Sequence, residues 1–156
     1  MADSNEAEKL TPTQQTMMRW FTRHYSRANV WIYRKTDGRW GGRFQGGAPV
    51  MLVTMRGRKT GLERTTPLIH IASGEGVLLV ASQGGLAKNP TWYGNVVANP
   101  AITVQVGASF RKLVAREVSD ERKDELWPAI CNVHPDFDVY RRRTDRNIPV
   151  FECLPK

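Results

Sequence analysis

The sequence has few of the residues that usually bind metals or cross-link a chain. Its two cysteines, Cys131 and Cys153, stand far apart and outside any CxxC pair, which is typical of packing thiols in a reducing cytoplasm. The three histidines are scattered, and none belongs to an HExxH motif. We therefore expect neither a metal site nor a disulfide framework.

Long apolar runs and the common catalytic motifs are missing as well. No stretch approaches the ~18 apolar residues of a membrane span, and no signal peptide opens the chain, so we expect a cytoplasmic protein. The GxGxxG, GxxxxGK[ST] and GxSxG patterns are absent, as is a prominent pair of carboxylates. The sequence thus indicates no self-contained acid–base or nucleophilic catalyst.

Positive charge is abundant. Lys and Arg outnumber Asp and Glu by 23 to 15, which gives a net charge of +8. Such an excess favours an anionic partner, for which a nucleic acid, a phosphorylated cofactor and an acidic membrane surface are the alternatives. The basic residues do not alternate with aromatic ones as in a base-stacking surface, so we expect no nucleic-acid partner.

The chain divides into an N-terminal appendage, residues 1–35, and a main domain, residues 36–156. The appendage combines a polar segment with an amphipathic helix flanked by arginines. Two interpretations are open: the helix packs its apolar stripe on the domain, or it lies on an anionic membrane at the inner face of the cell. The stripe comprises Met17, Trp20, Phe21, His24, Ala28 and Trp31.

The main domain is rich in short β-strands joined by tight turns, which predicts an antiparallel, mainly β fold with flanking helices. Asn89 is expected to cap a helix that begins at Pro90, and Ser119 to open another that Pro128 kinks or ends. The architecture predicted is a closed or split β-barrel. Its strands are expected at 50–55, 64–72, 77–82, 102–106, 110–118 and 148–154.

Two glycine-containing turns suggest an anion site. The turn from Arg56 to Arg64 carries four cationic side chains and two glycines, which suits phosphate or carboxylate, although a solvated hairpin tip is the alternative. The loop 82–85 leads through Lys88 to a helix N-terminus, which also favours anions. With Trp92 and Tyr93 alongside, these features favour a flat aromatic ligand with a charged tail.

The segments GRKTG, RTTPL, ASQGGLAKNPTWYGNVVANPAITVQVG and RTDRNIPV resemble the deazaflavin-dependent nitroreductase family. The resemblance extends from about Trp31 to Leu154. It implies a split β-barrel of the FMN-binding-like kind that binds coenzyme F420, a 5-deazaflavin with a phosphate and a polyglutamate tail. The implied activity is hydride transfer from the reduced coenzyme to a quinone, a nitroaromatic or a similar acceptor.

The resemblance also implies which residues bind the coenzyme. The anionic tail would be bound by Arg58, Lys59, Thr60 and Arg64. Thr65, Thr66, Pro67, Leu68 and Ile69 would continue along the coenzyme, and Val80, Ala81, Ser82 and Gln83 would line the deazaflavin. Thr91, Trp92, Tyr93, Gly94 and Asn95 would close the site. Lys88 is a further coenzyme-binding candidate because of its charge beside the helix N-terminus.

The family pattern differs most from this chain around the acceptor. Ile69 and Gln83 stand where one member of the family has Tyr and Lys, and His134, Phe137 and Tyr140 stand against a run of tyrosines in that member. Tyr140 is our first candidate for hydrogen bonding or protonating the acceptor, ahead of Ser82 and His134, although a merely packed tyrosine is the alternative. FMN binding on the same barrel and a non-catalytic deazaflavin carrier are the rival functions, and the oligomeric state is open.

Overall fold

The computed structural model describes residues 9–156, without the side chains of residues 21–24. The predicted N-terminal polar segment lies mostly outside the described residues. The helices are α1 (Pro12–Thr36), α2 (Thr91–Ala98), α3 (Asp120–Val133) and α4 (Asp136–Arg143). The strands are β1 (Val50–Arg56), β2 (Glu63–Ile69), β3 (Ile71–Ser73), β4 (Gly76–Val80), β5 (Ala101–Val106), β6 (Ser109–Glu117) and β7 (Val150–Leu154).

The strands form one antiparallel sheet in the order β2-β1-β5-β6-β7-β4-β3. β2 and β3 lie at opposite edges although only His70 separates them in sequence, so the sheet must curl until its edges meet. The His70 amide donates to the carbonyl of Pro49 at 2.7 Å and fixes the bend. The antiparallel split barrel is confirmed, whereas the single strand expected at 64–72 is wrong because the bend divides it.

Apolar side chains fill both faces of the curled sheet. The inner face and α2 enclose the barrel core, which includes Met51, Leu79 and Phe151. On the outer face, α3 and α4 cover β3, β4 and β7 and form the outer core, which includes Ile71 and Ile130. Alternation along β4 sends successive side chains to these two cores, whereas Val50 and Leu52 on the outer face of β1 pack against Tyr33 of α1 in a third cluster.

Helix α1 packs on the sheet through a different face from the one expected. Tyr33 and Asn29, one helical turn apart, are buried, and the Tyr33 hydroxyl donates to the carbonyl of Val50 at 3.1 Å. Met17 is 69%, Trp20 63% and Trp31 65% exposed. The helix thus packs on the domain, as the first interpretation expects, but through Tyr33 and Asn29. The described side chains of the apolar stripe face outward instead, and those of Phe21 and His24 lie outside the described part of the chain.

Helix ends also depart from the expectations. α2 begins at Thr91, with Pro90 as its N-cap residue and no side-chain cap, because the Asn89 side chain accepts from Arg146 instead. Ser119 caps α3 as predicted, but α3 continues through Pro128 to Val133. Trp127 and Ile130, which flank Pro128, pack into the outer core and hold the helix together across it. Helix α4 was not predicted, because its sequence DFDVYRRR is short and rich in charge and has no clear apolar periodicity.

Replacing Tyr33 with Phe is expected to lower the free energy of unfolding by about 1–3 kcal/mol. The hydroxyl accepts from the Gly107 amide at 2.8 Å as well as donating to the Val50 carbonyl, so its loss removes a hydrogen bond from a buried carbonyl and another from a part-buried amide. Chemical denaturation measures the change. Tyr93→Phe is the control, since it removes an exposed hydrogen bond to Glu117; equal stability losses in the two variants would contradict the assignment.

Candidate functional site

The hairpin tip, residues 56–64, is a closed turn with free cationic side chains. The Gly57 amide donates to the carbonyl of Leu62 and the Gly61 amide to that of Gly57, both at 2.8 Å. Gly61 has a φ of +69°, which favours glycine. Arg58, Lys59 and Arg64 are exposed and form no ion pair within residues 9–156. The tip therefore presents positive charge without an internal counterion.

The hairpin tip is joined directly to α2. The Arg58 amide donates to the Oδ1 atom of buried Asn95 at 3.0 Å. The Arg58 guanidinium lies so close to Gly94 that a Cβ atom there would come within 3.1 Å of its carbon. Gly94 thus allows the arginine to lie flat on the helix. Two segments expected to contact the coenzyme, the turn and the helix, are brought together in the fold.

Strand β2 divides the expected coenzyme residues between two faces. Thr66 and Leu68 lie opposite Val53 and Met51, whose side chains are in the barrel core. Thr65 points to the other face, where its hydroxyl lies 2.8 Å from that of Thr54. Pro67 and Ile69 share the face of Thr65 because strand side chains alternate. The side chains from Thr65 to Ile69 therefore cannot all meet one ligand surface.

After β4, the chain enters the glycine loop, residues 82–85. Ala81 is fully buried in the barrel core, so only its backbone can face a ligand. Ser82 is right-handed helical, while Gln83 and Gly84 have φ values of +45° and +63°. A right-handed residue followed by left-handed ones turns successive amides to the same side, an arrangement that binds negatively charged or carbonyl oxygens.

Arg146 holds the glycine loop from behind. It donates from Nη2 to the carbonyls of Ala81 and Ser82 at 2.9 and 2.7 Å, from Nε to that of Leu86 at 2.8 Å, and from Nη1 to Asn89 Oδ1 at 2.7 Å. Burial lowers the pKa of its guanidinium. Sequence reasoning assigned Arg146 no role, although the residue lies in the segment RTDRNIPV.

Trp92 and Tyr93 attach α2 to the barrel. The Trp92 ring lies 6.2 Å and the Tyr93 ring 5.7 Å from the ring of Phe151, between centroids, and Trp92 belongs to the barrel core. The Tyr93 hydroxyl donates to Glu117 Oε2 at 3.1 Å. Their direct contact with the coenzyme stays a prediction, as it does for exposed Lys88 and Thr91.

The residues expected to contact the acceptor form an aromatic cluster beside the glycine loop. The acceptor cluster comprises Phe44, His134, Phe137 and Tyr140. His134 is buried, with ring centroids of Phe44 and Phe137 at 5.6 and 5.3 Å, and its Nε2 atom lies 3.3 Å from the Tyr140 hydroxyl. Phe44 was missed by sequence reasoning, since it lies in a glycine-rich connector without periodicity.

Tyr140 links this cluster to the glycine loop. A Cβ atom at Gly85 would come within 2.7 Å of the Tyr140 carbonyl oxygen, so α4 and the loop pack backbone to backbone. Arg143 donates to the Gly84 carbonyl at 3.0 Å. Desolvation by burial, and secondarily the Asp136 carboxylate, raise the pKa of the Tyr140 hydroxyl, which therefore stays protonated at neutral pH.

Within the described residues, no group of His, Cys, Asp or Glu could hold a metal ion. What the fold assembles instead is a cationic tip, a loop whose successive amides turn to the same side and an aromatic cluster. These features fit F420: the tip suits a phosphate and glutamate tail, and the glycine loop suits the carbonyl oxygens of a deazaflavin ring. Together with the curled antiparallel sheet, they define a split-barrel protein of the kind that binds flavin-like coenzymes.

Comparisons with known proteins identify the family. The model of the F420H(2)-dependent quinone reductase family matches residues 25–155. The F420H(2)-dependent quinone reductase Rv1261c of Mycobacterium tuberculosis is 37% identical over 139 residues, which cover 85% of this chain and 93% of that protein. The chain belongs to the F420H(2)-dependent quinone reductase family.

Solved structures agree with this assignment. An F420-H2 dependent reductase, FDR-A, has a TM-score of 0.63 and 38% identity, covering 67% of this chain and 93% of its own. A structure described as a domain-swapped dimer has a TM-score of 0.65 and 32% identity, covering 81% and 98%. The expected enzyme class, an oxidoreductase, and the expected coenzyme, F420, are confirmed, and neither FMN nor a carrier function is needed.

Proposed function

We propose that this enzyme reduces a quinone with F420H2, and that the hairpin tip binds the coenzyme tail while the glycine loop and acceptor cluster surround the reacting ring. The observation that supports this most is the group of cations at the tip, which lacks an ion pair in the described residues yet is joined to α2 through Arg58 and Asn95. A solvated tip would not need this attachment.

The bound coenzyme, once reduced, supplies the hydride. Arg58, Lys59 and Arg64 bind the anionic tail, and amides of the glycine loop orient the ring against the acceptor. Thr60 is a weaker candidate for the tail, because its hydroxyl already accepts from the Leu62 amide at 3.3 Å. The protein's task is positioning rather than bond making.

Tyr140 donates its hydroxyl proton to the acceptor oxygen as negative charge develops there, and the resulting phenolate takes a proton back from solvent. His134 positions the hydroxyl through the 3.3 Å contact, and the raised pKa of Tyr140 keeps the proton available. Ser82 is the second donor candidate, since it begins the glycine loop. A quinone suits this arrangement because its carbonyl oxygen becomes a hydroxyl on reduction.

The test is anaerobic oxidation of F420H2 by the purified enzyme, followed through the return of deazaflavin absorbance when menadione is added. We expect enzyme-dependent oxidation that saturates with menadione. A nitroaromatic added in place of menadione measures whether that second acceptor class is used. Binding of F420H2 without faster oxidation by any quinone would contradict the proposal.

The exposed apolar stripe of α1 supports a second proposal. We propose that the N-terminal appendage, residues 1–35, contacts an anionic membrane surface through the described members of this stripe, Met17, Trp20, Ala28 and Trp31. The stripe is exposed and arginines, among them Arg27, lie beside it, as in helices that lie in a bilayer interface. Among residues 9–156, no helix is long and apolar enough to cross a bilayer.

Replacing Met17 and Trp31 together with serine is expected to reduce co-sedimentation with phosphatidylglycerol vesicles by roughly tenfold or more, because each side chain buries apolar area on binding. Trp40→Ser is the control, since Trp40 is 73% exposed but lies in the turn after α1. Binding that is equal in all three proteins would contradict a membrane role for the stripe.

A further inference from the structure

The Arg146 side chain is hydrogen-bonded throughout to the segment that contains the glycine loop. Its guanidinium makes four of them, all to acceptors in residues 81–89. Three of the acceptors are main-chain carbonyls and the fourth is the side chain of Asn89. Only a planar arginine fork can reach such a set at once, and a lysine could satisfy only part of it.

The carbonyls that Arg146 holds determine where the neighbouring amides point. In a planar trans peptide, the C=O of one residue and the N–H of the next lie on opposite sides. By binding the carbonyls of Ala81 and Ser82, Arg146 turns the amides of Ser82 and Gln83 away from itself. Neither amide donates to a protein acceptor in the described part of the chain. The same contacts stabilise the positive φ of Gln83, which costs a non-glycine residue energy.

Arg146 is itself fixed from the other side. The Thr144 hydroxyl accepts from the Arg146 amide at 3.3 Å. Asn147 donates to Asp120 Oδ1 at 2.8 Å and accepts from Lys123, whose ammonium is buried and bonded to the same carboxylate at 2.8 Å. The N-terminal turn of α3 thus holds the segment from which Arg146 extends.

We propose that Arg146 is a positioning residue for the coenzyme ring: it fixes the amides of Ser82 and Gln83 so that they donate to a carbonyl oxygen of the deazaflavin. This inference rests on the proposed function and extends it, since it assigns ring recognition to the main chain and tail recognition to the hairpin tip. A glutamine in place of lysine at position 83 then has little effect on binding of the deazaflavin ring, because the backbone of this residue, and not its side chain, makes the contact.

The test compares the affinities of two ligands, F420 and the same deazaflavin without its phosphate and glutamate tail, by fluorescence titration. In Arg146→Lys we expect both affinities to fall by the same factor, roughly tenfold or more, with a shift in the absorption maximum of the bound chromophore. Tyr33→Phe is the control for destabilisation, because Tyr33 has no contact with the loop. Affinities in Arg146→Lys that match those of Tyr33→Phe would overturn the proposal.

A measurement on the wild-type protein covers the case in which Arg146→Lys does not fold. Binding of the tail-less deazaflavin should slow hydrogen exchange at the amides of Ser82 and Gln83 more than at Gly57 and Gly61. Unchanged exchange at Ser82 and Gln83 would overturn the proposal. Failure of menadione to oxidise bound F420H2 would contradict the proposed function alone, since these binding measurements do not involve an acceptor.

Discussion

Replacing Arg58 and Lys59 together with alanine is expected to weaken F420 binding by roughly a hundredfold, because each side chain makes a charge-assisted contact with the anionic tail. The Arg58 amide still donates to Asn95 after this change, so the tip keeps its attachment to α2. Fluorescence titration of F420 measures the loss, and circular dichroism verifies that the fold is retained.

A matched control separates local binding from loss of net charge. The double variant Arg39→Ala/Lys112→Ala also removes two positive charges. Arg39 lies in the turn after α1, and this turn lies beside the β5–β6 turn, since Asp37 is close to Gly107. Lys112 lies on β6, whose neighbours are β5 and β7. We expect the control to bind F420 almost as the wild type does at physiological salt. An equal loss in both double variants would mean that only net charge attracts the coenzyme.

Replacing Tyr140 with Phe is expected to lower kcat with menadione by roughly a hundredfold, since a positioned proton donor contributes about that much. The affinity for F420 should stay within roughly twofold, because the hydroxyl contacts His134 and faces the acceptor cluster rather than the hairpin tip. Stopped-flow oxidation of bound F420H2 measures the chemical step apart from binding.

The pH dependence offers a second readout for Tyr140. Its raised pKa means that the hydroxyl keeps its proton beyond its ordinary value of 10.0, so the rate should not decline between neutral pH and that value through loss of this proton. The Phe variant should retain the same profile at a lower level. If Tyr140→Phe reduced several quinones at the same rates as the wild type, Tyr140 would be only a packed aromatic residue.

Most of the strands and the start of α3 could be predicted because their signals are local. A continuous apolar run marks β1 and alternating apolar residues mark β5, and a glycine-containing turn follows each of the two strands. Ser119 caps α3 through a hydrogen bond to the Arg122 amide that depends on residues three positions apart. The family's motifs likewise indicated the coenzyme, because each motif is a short continuous segment and the motifs follow one another in the family's order.

Features that depend on distant partners could not be predicted. Asn89 has the local properties of a helix cap, yet it bonds to Arg146, 57 positions away. The division of the second strand at His70 follows from closure of the sheet, and the contact of Phe44 with His134 joins a connector to the end of α3. Each of these arises from tertiary structure, which outweighs local preference.

Helix α1 illustrates the limit of periodicity. A stripe of apolar residues at helical spacing predicts a face but not what covers it. The sequence contained a second, smaller face with Asn29 and Tyr33, and the two hydrogen bonds of the Tyr33 hydroxyl place that face on the sheet. The exposed stripe is consequently a surface feature, which the vesicle experiment addresses.

The central claim is that the hairpin tip binds the coenzyme tail. The most direct measurement is the ratio of affinities for F420 and for its tail-less deazaflavin, compared between the wild type and Arg58→Ala/Lys59→Ala. We expect the wild type to favour F420 by roughly a hundredfold and the double variant to lose nearly all of that preference while binding the tail-less ligand unchanged. A preference of the same size in both proteins would contradict the claim and place the tail elsewhere.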